Sequence, residues 1–407
     1  MTDTPNPRSL AHNLLLAGSS GASAALLLIL FVVAGRVLGE VEFGKFSFAL
    51  ALGTIFETLM DFGLHQVTIR EVARDKSRAS TVFQHTLGIK LLWTAGGLMA
   101  LLLTATLLRS EWDVRWACYL VGGALVARSF TFTIRGILQG LERFGWDSIV
   151  VLGDRGLLLV FGTAVLMAGY GLLGLSLAFV VARGAALVLG AWLTRAQLGG
   201  VAVKYDREVW RDLQRSAVPF GVFLVVLNLY SYVDSVMLGV IRGDVETGIY
   251  GAAYKVYEGV GYLPGVIASV LTPRLSSLYV TDRAAHRKLV LAGLAGSVSL
   301  ALVVTIAGYV LAAPLMALLF GPAFVASASP FRILCIGLAF VFAIWTLHAT
   351  AISANRERLL VRAALVGLVV NVVVNLSLIP RMGANGAAAA TVVGELVSLA
   401  VLVLGLR

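Results

Sequence analysis

Charge is what this sequence has least of. Asp, Glu, Lys and Arg make up 13% of its 407 residues, well below the roughly 25% of a soluble globular domain. No stretch is left over to fold in water, since the longest polar gap, residues 195–216, has the length of a linker. That argues against an enzyme with an aqueous catalytic domain. Cysteine is nearly absent. Cys118 and Cys335 lie far apart in apolar surroundings, which argues against a disulfide framework or a cysteine metal site. The five histidines lack metal-ligand spacing. No Gly-Lys-Ser/Thr loop is present to cradle a phosphate, which argues against ATP hydrolysis. Acids are outnumbered 22 to 32, giving a net charge of +10. No nucleic-acid partner follows, because excess Lys and Arg in a polytopic protein mark its cytoplasmic loops.

Apolar residues fill the space that charge leaves, at 59% of the chain. A helix needs about 20 of them in a row to cross a bilayer. Windows of that length fall at about 10–37, 46–66, 82–108, 115–135, 147–169, 172–194, 217–241, 248–272, 289–313, 330–353, 360–380 and 386–406. Strands with open edges would leave backbone groups unpaired in lipid. The expected fold class is therefore an all-α integral membrane protein of about twelve transmembrane helices. The first window is too long for a signal-peptide core and runs into a second, so it reads as retained.

Loop charge sets the expected orientation. With the N-terminus inside, inner segments collect 20 Lys and Arg, from Arg8 through Arg70, Arg74, Lys76 and Arg78 to Arg407. The opposite loops hold five: Lys45, Arg109, Arg115, Arg242 and Arg381. The positive-inside rule then predicts both termini in the cytoplasm and a multi-pass protein of the cell inner (plasma) membrane. The outer loops are short, the longest at about 313–329.

The two halves repeat weakly. Glu40-Val41-Glu42-Phe43-Gly44-Lys45-Phe46 follows the first window, and Asp244-Val245-Glu246-Thr247-Gly248-Ile249-Tyr250 follows the seventh. Gly171-Leu172-Leu173-Gly174 opens the sixth window as Gly383-Ala384-Asn385-Gly386 opens the twelfth. The offsets, 204 (244 − 40) and 212 (383 − 171), nearly agree. Six windows per repeat give parallel topology, and carriers built this way bind substrate between their halves. The expected domains are two six-helix bundles, residues 1–208 and 209–407.

Gly35-Arg36-Val37-Leu38-Gly39-Glu40-Val41-Glu42-Phe43-Gly44, Asp61-Phe62-Gly63-Leu64 and Arg70-Glu71-Val72-Ala73-Arg74 resemble the opening of polysaccharide flippases. Tyr232-Val233-Asp234-Ser235-Val236-Met237-Leu238-Gly239, Gly248-Ile249-Tyr250-Gly251-Ala252-Ala253-Tyr254 and Ile379-Pro380-Arg381-Met382-Gly383-Ala384 extend the likeness along the chain. The family is the oligosaccharide flippase branch of the multidrug/oligosaccharidyl-lipid/polysaccharide superfamily. The resemblance implies a V-shaped pair of bundles and alternating access. It implies transfer of a polyprenyl-diphosphate-linked oligosaccharide to the periplasmic leaflet, coupled to H+ or Na+ with no other cofactor. Other glycan-assembly membrane proteins are the implied partners. Some relatives carry two further spans that hold lipid, and this chain has windows for twelve only.

Moving an anionic sugar headgroup across about 30 Å of hydrocarbon requires cations along the path. Arginine suits phosphate because its planar fork stays charged and donates in parallel. Arg128, Arg155 and Arg183 lie about two turns inside their windows, too deep to snorkel easily. Lys90, Lys255 and Arg332 are further candidates. Intramembrane charges are functional by default, but each has a plainer reading: Lys255 can neutralise Glu258 three residues on, Arg332 can anchor at the interface, and Arg183 can pair with Glu395. Asp154 and Arg155, as helix neighbours, are not expected to face each other. Glu57, Asp61 and His65 share one helix face, and with Asp234 and Glu258 they are the ion-coupling candidates. The Asp61-Phe62-Gly63-Leu64 stretch can equally end a helix. Asn371 and Asn375 share a face and can bind sugar hydroxyls or join helices.

The expected function is a lipid-linked oligosaccharide flippase. A cation-coupled multidrug exporter of the same superfamily is the alternative. A membrane polysaccharide polymerase or ligase is disfavoured by the short outer loops.

Overall fold

The computed structural model describes residues 7–198 and 202–406. All of Arg407 and the side chain of Arg8, two of the inner-segment cations, lie outside the described residues. Every regular element among those described is a helix.

Among the described residues eleven helical stretches are long and apolar enough to cross a membrane, against twelve windows in the sequence. The difference lies in α1 (Pro7–Asp61), which carries the first two windows in one run of 55 residues. At 1.5 Å per residue such a helix would reach roughly 80 Å, more than twice a hydrocarbon core of about 30 Å. It is broken at Gly39, where φ is 70° and ψ 178°, a conformation open to a residue without Cβ. Two membrane-length segments share the run, which brings the candidate crossings among the described residues to twelve. Helix α1 ends at Asp61. Phe62 (φ 39°) and Gly63 (φ 81°) turn the chain into α2 (Leu64–Arg74), so the Asp-Phe-Gly-Leu stretch is indeed a helix end.

The chain divides into two compact units: Met1–Val37 with Ala49–Asn228, and Leu38–Phe48 with Leu229–Arg407. In the first unit, α4 (Trp112–Gly140) packs against α2, α3 (Ala79–Leu108) and α6 (Gly171–Leu198), and α5 (Phe144–Met167) packs on α6. Val72, Phe83, Ile137, Leu138 and Val150 form part of its core. Small residues allow the close approach that membrane helices depend on: a Cβ on Gly140 would lie 2.7 Å from Val72. Beyond α6 the chain is laid against α3. The Lys204 N–H donates to the Gln84 carbonyl at 3.3 Å, and the Trp210 indole N–H donates to the Lys204 carbonyl at 3.1 Å. Asp206 then caps α7 (Arg207–Ile241), accepting from the Glu208 and Val209 N–H groups.

The second unit contains α8 (Asp244–Gly261), α9 (Leu263–Thr281), α10 (Arg283–Phe320), α11 (Ala328–Ser353), α12 (Glu357–Met382) and α13 (Ala384–Leu406). Helix α11 is its hub, touching α8, α9, α10 and α13, while α12 packs along α13. On α10, Val303, Ile306 and Val310 are 62–66% exposed. Clusters of large exposed apolar side chains are uncommon on proteins in water, and on a helix long and apolar enough to cross a membrane they suit contact with lipid. The chain is a multi-pass integral membrane protein.

The two copies of the repeated acid-Val-Glu-x-Gly motif touch each other in this unit. A Cβ on Gly44 would lie 1.9 Å from the Asp244 carbonyl oxygen, and a Cβ on Gly248 would lie 2.0 Å from that of Glu40. Each glycine thus faces the first acid of the other copy. Backbone cannot move aside as a side-chain tip can. Gly44→Ala is expected to destabilise the protein by about 1–3 kcal/mol, read as a lower melting temperature in detergent, and Gly248→Ala by the same amount.

Candidate functional site

The first unit gathers the arginines that the sequence singles out. Arg128 on α4 makes a two-pronged ion pair with Glu57 on α1, Nε to Oε1 and Nη2 to Oε2. Arg183 on α6 holds Asp154 on α5 through Nη1. Arg155 donates from Nε to the Ser23 hydroxyl at 3.1 Å, and its Nη1 lies 3.7 Å from the same Asp154 carboxylate. The contact between Asp154 and Arg155 runs against the helix-neighbour expectation, and the long guanidinium stem explains how it forms. Arg183 also feels the charges of Arg155, Arg128 and Glu57, so these are one cluster. Among the described residues it has three guanidiniums and two carboxylates. The Arg183 Nε has no hydrogen-bond partner among the described residues. The side chains of Arg128 and Arg155 remain 16% and 19% exposed, whereas that of Arg183 is 2% exposed.

One turn along α1 from Glu57, Asp61 pairs with the buried Lys90 of α3. It also accepts the His65 N–H at 3.3 Å, while His65 Nδ1 lies 2.7 Å from the Phe132 carbonyl. Arg135 binds Asp147 at 2.7 Å, and Arg128 and Arg135 lie 5.6 and 5.9 Å from the Phe132 ring centre. Each face of the acidic stripe is therefore occupied by a cation from a neighbouring helix or by backbone. Removing one member of a buried pair strands the other. Lys90→Met is expected to cost about 3–5 kcal/mol, and Lys90→Met with Asp61→Leu to recover most of it. Thermal unfolding of the two variants in detergent measures the difference.

The second unit has a different character. Asp234 on α7 is buried and surrounded by neutral donors: Asn375 Nδ2 at 2.6 Å on Oδ1, and the Thr391 and Tyr250 hydroxyls at 2.6 and 3.0 Å on Oδ2. Asn375 also donates to Asn371 Oδ1 at 3.0 Å. The Asn371 Nδ2 and the Asn375 Oδ1 have no partner among the described residues. Among the described residues no cation pairs with Asp234. Glu395, one turn beyond Thr391 on α13, accepts from the Tyr257 hydroxyl. The sequence allowed an Arg183–Glu395 ion pair. Instead Arg183 pairs with Asp154 through Nη1, and Glu395 accepts from the Tyr257 phenol at Oε1.

Lys255 pairs with Glu258 at 2.7 Å, the neutralisation its spacing allowed, and Tyr232 donates to Glu258 at 3.3 Å. Arg332 donates to the Tyr309 carbonyl at 3.2 Å and lies 5.7 Å from that ring. Tyr250, Thr391 and Tyr257 were not picked out from the sequence. A polar residue at i and an acid at i+4 in the apolar α13 was the available signal.

These arrangements can be set beside those of known proteins. Residues 10–279 match the family model described as polysaccharide biosynthesis protein. The chain belongs to that family. A protein of Escherichia coli (strain K12) named for O-antigen transport is 24% identical over 299 residues, 68% of each chain. An uncharacterized membrane protein of Methanocaldococcus jannaschii is also 24% identical, over 298 residues and 68% of each chain. The fold is that of known transporters. The lipid II flippase MurJ superposes with a TM-score of 0.81 at 13% identity, covering 96% of this chain and 87% of its own. A multidrug resistance transporter of the MATE family, from the MOP superfamily, gives 0.78 at 15% identity, covering 95% and 94%.

Proposed function

We propose that this family member is a flippase. In this reading it carries polyprenyl-diphosphate-linked oligosaccharide from the cytoplasmic to the outer leaflet of the cell membrane by alternating access. Its two halves are 1–208 and 209–407, and both termini lie in the cytoplasm. The observation that carries the reading is the charge of the buried cluster in the first unit. Among the described residues three arginines share two carboxylates, and the buried Arg183 Nε has no hydrogen-bond partner. A surplus cation in a low-dielectric site attracts an anion strongly, and guanidinium matches phosphate in geometry. The same surplus repels the cationic amphiphiles that a multidrug exporter would carry. Lys255, Arg332 and Asn371 of the second unit are proposed to contact the diphosphate or the sugars.

Coupling is proposed at Asp234. Glu57, Asp61 and Glu258 already hold cations of the chain itself, whereas Asp234 is solvated by three neutral donors. A buried carboxylate so arranged has its charge balanced by an exchangeable proton or sodium ion, and no further cofactor is needed.

The test is reconstitution into vesicles with a fluorescent polyprenyl-diphosphate glycan, with accessibility to an external quencher as readout. A parallel arm measures extrusion of a cationic dye. The glycan is expected to cross and the dye to stay. Dye extrusion without glycan movement would assign the chain to drug export.

A further inference from the structure

The second unit contains two buried acids, and only one of them is furnished as an anion. Asp234 accepts three hydrogen bonds, which is how a protein solvates a carboxylate. Glu395, 4% exposed, accepts one, from Tyr257 to Oε1. Its Oε2 has no partner among the described residues. That oxygen faces Gly337 of α11, where a Cβ would lie 2.3 Å away. Leaving an anionic oxygen unsolvated costs far more than leaving a neutral O–H so.

The groups facing Glu395 supply no compensating charge. From α8 comes Tyr257, with Tyr254 beside it. From α7 come Tyr230, whose buried hydroxyl has no partner among the described residues, and Asp234, a like charge. From α11 comes Gly337, and from α12 comes Gly367, which packs against Ser398 one turn on from Glu395. Among the described residues no Lys, Arg or His pairs with it. Two acids in one buried neighbourhood, with environments that treat them differently, divide the roles of anion and acid between them.

We infer that Glu395 is a proton-carrying site of this transporter, separate from Asp234: its carboxyl is neutral in the arrangement described, with the proton on Oε2 and the carbonyl Oε1 held by Tyr257. On ionisation the proton leaves Oε2 for the aqueous phase and the Glu395 carboxylate keeps the electron pair. Tyr257 remains a phenol throughout and positions the group. Gly337 is the space the carboxyl needs. This rests on the proposed coupled transport only for its consequence. The protonation itself stands on the geometry of the second unit.

The experiment is infrared difference spectroscopy on the full chain in lipid vesicles, at neutral and then alkaline pH. A protonated carboxyl absorbs apart from carboxylates, so its band reports Glu395 directly. The band is expected in wild type and in Asp234→Asn, where Asp234 can contribute none, and is expected to vanish when Glu395→Gln is added to Asp234→Asn. In Tyr257→Phe it should persist and move to higher frequency, because the carbonyl loses a hydrogen bond. That shift distinguishes a positioned acid from a packing residue. A band that survives in the double variant, or no such band in Asp234→Asn at neutral pH, overturns the inference. In the same vesicles glycan movement by wild type is expected to respond to an imposed pH gradient, and that response to be lost in Glu395→Gln. A response retained in Glu395→Gln rejects the role in coupling. Absent glycan movement in wild type would count against the flippase reading and leave the infrared result intact.

Discussion

Arg155→Gln is expected to lower glycan flipping by about 10- to 100-fold while the protein still folds and inserts. The size follows from losing a charge-assisted hydrogen bond to phosphate, about 1.5–3 kcal/mol, with about 1.4 kcal/mol per tenfold. Arg155 is the right position because of what it leaves behind. Arg128 and Arg183 each hold a carboxylate of their own. Truncating either strands a buried charge at about 3–5 kcal/mol, and lost transport could then reflect lost folding. Asp154 keeps Arg183 when Arg155 is removed. Arg155→Lys restores the charge without the planar fork, so it should recover part of the rate. Quencher protection of labelled glycan in vesicles gives the rates, and elution as a single species in detergent checks the fold. Flipping at the wild-type rate in Arg155→Gln would remove this guanidinium from the substrate path.

The second large effect is expected at Asp234. Asn in its place keeps the shape and loses the charge. The Thr391 and Tyr250 hydroxyls can rotate to donate or accept, so the polar cluster can re-form around an amide, and Asp234→Asn should fold. Its transport should no longer respond to the gradient that drives wild type, whether of protons or of sodium. The measurement imposes each gradient in turn across vesicles containing wild type or Asp234→Asn. An unchanged response in the variant would reject Asp234 as the coupling site. A flat response in wild type would reject coupling altogether.

Much of the fold was legible because a bilayer demands long apolar runs. Length alone set the windows, and their number held even where Gly39 let two crossings merge into one helix. The turn at Asp61 was readable from its Phe-Gly-Leu sequel, since Gly63 adopts a positive φ. Partner choice was less legible. Lys255 and Glu258 could be paired from their spacing, because neighbours three apart share a helix face. Arg183 could not be assigned to Asp154, nor Lys90 to Asp61, because those pairs join different helices 29 residues apart. The neutral donors of Asp234 come from three helices as far as 157 residues away. Tyr250 and Thr391 look like ordinary apolar-span residues until the helices that bear them are packed together.

In the proposed transport cycle a surplus buried cation selects an anionic headgroup. The most direct measurement compares flipping of one glycan carried on the same polyprenyl chain through a diphosphate or through an uncharged linkage, in wild type and Arg155→Gln. Wild type is expected to move the diphosphate form at least tenfold faster, about 1.4 kcal/mol, and the variant to lose most of this preference. Equal rates for the two linkages in wild type would contradict it.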